Sequence, residues 1–239
     1  MQLDLDQILD AAIVIADREG PQAMTMRKIA HELGVGAMSL YWYIPTKREL
    51  EAQVLGRIFR DASPPDATGP DWRENLAAIA RSARAHFLKH PWVLDFLTSV
   101  TFLDEQTFGH GFLQHFENSM RMVDSLPFSF AEKSAILEAI DGFTQGFVFR
   151  EVLEQRRREQ LPETDAEMHE RMAGRMEQLL AERDYPLMRQ FMAHDQEMPE
   201  QDAQFEAALA IILDGVELRL QRMQAQGNPP PPPPPTLPH

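Results

Sequence analysis

Between Thr25 and Leu50, in the run TMRKIAHELGVGAMSLYWYIPTKREL, the hydroxyls of Thr25, Ser39, Tyr41 and Tyr43 are interleaved with the cations Arg27, Lys28 and Lys47. Donors of these kinds suit the binding of phosphate oxygens. Groups for breaking bonds are harder to find. His86 and His90 stand four apart, as zinc ligands on one helix face do, but Pro91 ends that helix and no third ligand is near in sequence. His31-Glu32 and His169-Glu170 open like the zinc-protease motif, yet Val35 and Ala173 occupy the second histidine positions. There is no G-x-S-x-G elbow, phosphate-cradling glycine loop or paired catalytic carboxylates, and the chain has no cysteine. The expectation is a binding protein with no catalytic site, no metal and no cofactor.

Two short helices must position the phosphate-reaching row. Thr25 caps the first, whose apolar positions Ile29, Ala30 and Leu33 recur at helical spacing, and Gly34 ends it where positive φ is easiest. Val35 fills the turn. The second runs from about Gly36 to Tyr43, buries Leu40 against the first and stops before Pro45. Its other face, with Ala37, Met38, Ser39, Tyr41 and Tyr43, is left to meet DNA. A preceding helix over residues 4 to 19 packs across this pair, and Thr46 with Glu49 forms a capping box for a following one whose stripe is Leu50, Val54, Ile58 and Phe59.

The combination Gly34-Val35, Leu40-Tyr41-Trp42-Tyr43, Lys47 and Leu50 closely resembles the DNA-binding head of the tetracycline-repressor (TetR) family of transcriptional regulators. The resemblance is specific over residues 5 to 61 and beyond that covers only the helical layout. It implies that Thr25, Ser39, Tyr41, Tyr43 and Lys47 contact phosphates. Trp42, an aromatic in an apolar run, is expected on its own account to pack its indole within the head. The tetracycline repressor itself has a glutamine and a proline where this chain has Ala37 and Met38, so its operator does not transfer. Neither residue offers a bidentate hydrogen bond. The expected readout is therefore Arg27 on a base, with a phosphate contact its competing reading, and Ala37 and Met38 on thymine methyls, with Lys28 in the basic footprint.

A net charge of -14 looks wrong for a DNA-binding protein. Its distribution resolves the difficulty: from Thr25 to Arg60, Arg27, Lys28, Lys47, Arg48, Arg57 and Arg60 outnumber Glu32, Glu49 and Glu51. No apolar run approaches the length of a membrane span, and the acidic N-terminus MQLDLDQ does not read as a signal peptide. A cytoplasmic protein without a membrane anchor is expected.

The fold expected is all-α, with three domains in sequence: a helix-turn-helix head over residues 1 to 62, a helical body over 63 to 226 and a proline-rich disordered tail over 227 to 239. Body helices are expected at about 71 to 89, 91 to 98, 104 to 125, 129 to 157, 165 to 183 and 202 to 224, with a helical turn at 187 to 193 and a solvated loop from Arg156 to Thr164. Two apolar stripes, Ile140, Phe143 and Phe147 on one helix, with Gly142 and Gly146 four apart allowing close helix approach, and Phe205, Leu209, Ile212 and Val216 on the last, are the expected homodimer interface. That pairing is what the resemblance implies; plain intramolecular core is the competing reading. Phe59, Phe87, Trp92, Phe96, Phe112, Phe116, Met120, Phe143 and Phe147, with Asp141 and Gln145 among them, read from spacing alone as plain core, and the resemblance makes them the expected lining of a small-molecule pocket. The function implied is a homodimeric regulator, a repressor released from a palindromic duplex operator by a small apolar or amphipathic effector. The alternative is a helical adaptor using its acidic body and proline tail for protein contacts.

Overall fold

The computed structural model describes residues 3 to 62, 71 to 97, 110 to 161, 163 to 194 and 200 to 225. Every regular element among them is helical. The expected linker over 62 to 70 and the proline tail lie almost wholly outside the described residues.

Helix α1 (Leu5–Glu19) starts in a reciprocal cap: the Gln7 N–H donates to the Asp4 carboxylate at 2.8 Å while the Asp4 N–H donates to the Gln7 side chain at 3.2 Å. Ile8, Leu9, Ala12, Ile15 and Ala16 form its buried side, and Gly20 ends it at φ 84°. α2 (Met26–Glu32) is capped by Thr25, whose hydroxyl accepts the Lys28 N–H at 3.3 Å. Gly34 then takes φ 67°, letting the Val35 N–H turn back to the Ala30 carbonyl at 2.9 Å. α3 (Ala37–Tyr41) ends two residues before the expected Tyr43. The N–H groups of Tyr43 and Ile44 both close on the Leu40 carbonyl, and Leu40 and Ile44 are the two side chains driven fully inward.

α4 (Lys47–Ala62) runs from the head into the body. Thr46 caps it as expected, accepting the Glu49 N–H at 3.1 Å, but the Glu49 carboxylate accepts from Gln53 Nε2 at 2.6 Å in place of the anticipated capping box. The body comprises α5 (Trp72–Lys89), α6 (Val93–Leu97), α7 (His110–Met122), α8 (Phe130–Gln160), α9 (Asp165–Glu182), α10 (Pro186–His194) and α11 (Gln201–Ala225). α8 overruns its expected end. The segment read as a solvated loop is helical to Gln160, because its charges pair at helical spacing: Arg157 and Arg158 with Glu154, and Gln155 with Glu159.

The apolar interior falls into two clusters. One unites the head core with Ala83 and Phe87 of α5, Trp92, Val93 and Leu94, and Val148 and Val152 of α8, so head and body share one continuous packing unit. The other joins α5, α7, α8 and α11 around Leu76, Ile140, Phe147, Phe205 and Leu209. Arg84 fastens this second region. Its guanidinium holds Glu151 of α8 through two bonds of 3.0 and 2.6 Å, reaches Asp202 of α11 at 2.7 Å and lies over the Phe147 and Phe205 rings.

Candidate functional site

On the head, burying Leu40 turns the opposite side of α3 outward. Met38 is 74% exposed, and Ser39, Tyr41, Thr25, Arg27, Lys28 and Lys47 are also exposed, with Ala37 half-buried. Because the Thr25 hydroxyl uses a lone pair for its cap, its hydrogen is still available to a phosphate oxygen. Arg27 has no hydrogen bond or ion pair among the described residues, consistent with a side chain held for an external acceptor. Lys28 pairs with Glu19, and Lys47 with Glu51 at 3.4 Å, both at exposed sites where such pairs are readily exchanged for phosphate.

Three features depart from expectation. Trp42 was expected within the head core and is instead 89% exposed. Leu40 and Ile44, four apart, occupy the inward positions, and Trp42, midway between them, must point out. Tyr43 is exposed, but its hydroxyl donates to the Leu3 carbonyl at 2.6 Å, so the proton expected for a phosphate is already engaged. Arg57 and Arg60 do not extend the basic footprint: Arg57 is bonded to Asp6 at 2.7 Å, Asp10 at 3.3 Å and Asp61 at 2.7 Å, and Arg60 lies near Asp6 and Asp61. They tie α4 to α1.

At its far end α4 meets the body. Phe59 is buried with its ring edge-on to Phe87, centroids 6.3 Å apart, and 5.4 Å from the His115 ring of α7. Burial lowers the His115 pKa, so the imidazole there is biased to its neutral form. One turn earlier, α4 crosses α7 backbone to backbone. A Cβ added to Gly111 would fall 2.6 Å from the carbonyl carbon and oxygen of Gly56, and closer still to its Cα. Only glycines permit that approach.

α7 and α8 also carry polar groups among their buried apolar positions. Thr144 of α8 is 1% exposed and its hydroxyl has no partner among the described residues; Ser119 of α7 is buried; Asp141 lies three residues before Thr144 and Gln145 directly after it, both half-buried. Burial, with Glu138 nearby, pushes the Asp141 carboxyl up to about 6. An apolar interior carrying a few hydrogen-bonding groups is the form in which small-molecule sites are built.

The expected pocket residues divide. Phe59, Phe87 and Phe96 lie on the head–body seam, Met120 packs against the second cluster, and the side chain of Phe112 lies outside the described residues. Phe116 is 40% exposed against Phe130, so its ring is at the surface. Trp92 belongs to the seam, where its indole N–H donates to Asp17 of α1 at 2.7 Å. Phe143 and Phe147 pack on Phe205, with centroids 5.2 Å away in both cases, and so join α8 to α11 within one chain. The expected dimer stripe needs the same correction: Ile140, Phe147, Phe205, Leu209 and Val216 are buried intramolecular core, with Phe143 and Ile212 packed against it.

The outward sides of α8 and α11 carry a second stripe, of which the sequence reading picks out only Gly142 and Gly146. On α8, Ala135, Ala139, Gly142, Gly146, Phe149 and Leu153 alternate four and three residues apart and all are exposed. On α11, Ile211, Gly215 and Leu218 continue the pattern from Ala208, with Ile211 73% exposed. The spacing was readable in the sequence; the inner stripe is simply more apolar and drew the assignment.

A capped helix-turn-helix head, joined by one long helix to an all-helical body, defines a DNA-binding regulator. Residues 8 to 54 match the family of bacterial regulatory proteins called tetR, and residues 64 to 220 match the tetracyclin repressor-like C-terminal domain. Among curated proteins, the chain is 32% identical over 228 residues to the HTH-type transcriptional repressor DrrR1 of Streptomyces coeruleorubidus, covering 95% of this chain and 82% of that one. Among solved structures, the Streptomyces coelicolor TetR regulator SCO7222 superposes with a TM-score of 0.69 at 20% identity, over 90% of this chain and 98% of that one. The S. coelicolor TetR family protein ActR, solved in complex with actinorhodin, gives 0.66 at 23% identity, over 92% and 99%. The chain belongs to the tetR family of bacterial regulatory proteins, DNA-binding transcriptional regulators.

Proposed function

We propose that this regulator is a repressor that works as a homodimer in the cytoplasm, holds a palindromic duplex operator through Thr25, Arg27, Ala37, Met38, Ser39, Tyr41 and Lys47, and is released by a small apolar or amphipathic molecule bound in the body. The observation that carries the reading is α3 itself, one side fully buried through Leu40 and the other exposing Met38, Ser39 and Tyr41 beside unpaired Arg27. The outward stripes of α8 and α11 support the dimer. Both helices are apolar on two sides, and a helix of that kind is buried on both. The three-and-four spacing fits a four-helix seam about a two-fold axis, with Gly142, Gly146 and Gly215 allowing close approach.

The buried Thr144 and Ser119, with half-buried Asp141 and Gln145, support the effector site, because they are hydrogen-bonding groups set among the apolar positions of α7 and α8. An effector there displaces α7, α7 carries α4 at the Gly56–Gly111 crossing, and α4 carries the head. Two heads on one DNA face need a separation near ~34 to 36 Å, so a few ångströms of shift weakens both half-sites together. Linkage then requires that the effector bind less tightly to the operator complex than to the free protein. The test is fluorescence anisotropy of labelled operator duplex titrated with a panel of hydroxylated polycyclic aromatics, followed by calorimetry of any active compound with and without operator. Release with weakened effector binding on DNA is expected; equal effector affinity in the two states contradicts the mechanism.

A further inference from the structure

Head and body meet at a second place, away from α4. The C-terminal turn of α1 brings the Asp17 carboxylate against the corner between α5 and α6, and one of its oxygens accepts from two donors: His90 Nδ1 at 2.7 Å and Trp92 Nε1 at 2.7 Å. A carboxylate oxygen only accepts, which places the hydrogen of His90 on Nδ1. His90 and Trp92 are both buried, while the Asp17 side chain is one-third exposed. The corner is otherwise poorly satisfied. The His86 ring lies 4.8 Å from His90 at a tilt of 57°, and its Nε2 is buried without a partner among the described residues. Two charge-assisted bonds thus hold shut a corner that also buries an orphaned polar atom.

We propose that Asp17 is a positioning residue for operator binding: a latch that fixes the angle between head and body. The Gly56–Gly111 crossing has no side chains between the two backbones and serves as the pivot; Asp17, on a different helix, is the stop. The apolar packing of Phe59 on Phe87 and His115 is non-directional and tolerates small tilts about the crossing, whereas the two short bonds to Asp17 fix one tilt. This role rests on the reading that the head moves as a unit to engage DNA, and it adds to the α4 path a second one through α1. Asp17 makes no DNA contact in this account, so its effect on DNA binding is carried entirely by geometry.

The absence of cysteine makes a direct test clean. Spin labels at Gln22→Cys on the head and Arg222→Cys on α11, both exposed, report the head–body distance by double electron–electron resonance once labelled chains are diluted with unlabelled protein. The parent gives one narrow distance. Asp17→Ala is expected to roughly double its width and to weaken operator binding about tenfold, since the competent orientation becomes one of several. Asp17→Asn keeps an acceptor oxygen in place and restores the narrow distance. Trp92→Phe, which keeps the packed ring and loses the N–H, gives an intermediate width, so the result does not depend on one variant folding well. A parent-like distance distribution in Asp17→Ala overturns the latch, even if the melting temperature falls. Failure of the parent to bind duplex DNA would instead strike the repressor reading and leave the distance result standing.

Discussion

Gly111→Ala is the sharpest perturbation of the α4–α7 crossing. The added Cβ would sit 2.6 Å from the carbonyl carbon and oxygen of Gly56, atoms that no rotamer change moves aside. The helices must part by about 1 Å to restore carbon contacts to their ~3.5 to 4.0 Å optimum. Overpacking of that kind costs about 1 to 3 kcal/mol, set against the ~1 kcal/mol that Ala gains over Gly within a helix. Gly56→Ala places its Cβ 3.1 Å from the Gly111 Cα, so it needs a few tenths of an ångström and should be milder. Gly174→Ala on α9 has nothing within 4 Å of the new Cβ and should show the gain alone. Urea denaturation should therefore rank the variants Gly174→Ala, Gly56→Ala, Gly111→Ala from most to least stable, and Gly111→Ala should also bind operator more weakly because α4 is displaced. Refutation would be Gly111→Ala matching Gly174→Ala in stability with parental operator affinity.

Lys47→Ala should weaken operator binding uniformly across sequence variants and reduce the slope of log affinity against log salt by about 0.9, the signature of one lost phosphate contact. Arg27→Ala should instead relax selectivity at one operator position by about 1 to 3 kcal/mol in a binding scan, and uniform loss would contradict base reading. Glu151→Gln strips the nearly buried Arg84 of its principal partner and should destabilise the chain by about 2 to 4 kcal/mol in urea titration, with Asp202 limiting the loss. Asp141 titrates near 6 in the folded chain against an ordinary 3.8, so its ionisation opposes folding above pH ~6 and that penalty disappears below ~4. Asp141→Asn should accordingly raise stability at pH 7.5 by up to about 3 kcal/mol and leave it nearly unchanged at pH 4.

The head was legible because its signals are local. Thr25, Gly34 and Pro45 fix cap, turn and stop within a few residues, and the structure places each where its backbone chemistry requires. Trp42 was misassigned because an aromatic in an apolar run reads as core; only the inward positions of Leu40 and Ile44 reveal that it faces out. The body helices were readable from periodicity, yet periodicity cannot say which of two apolar sides on α8 or α11 turns inward. Charge at the end of α8 suggested a loop until its pairing at helical spacing was seen. Asp17, His90 and Trp92 were beyond reach altogether: 73 to 75 residues separate the partners, and nothing in the sequence marks their meeting.

The central claim, a two-headed repressor reading duplex DNA through α2 and α3, is tested most directly by selecting binding sites from a randomised duplex library with the full-length chain and measuring the affinity of the winners across a salt series. The account predicts an inverted repeat with half-site centres about 10 base pairs apart or a multiple of that, bound by paired protomers with affinity that falls steeply as salt rises. Enrichment of no sequence, or of a lone half-site bound by a single protomer, would contradict it.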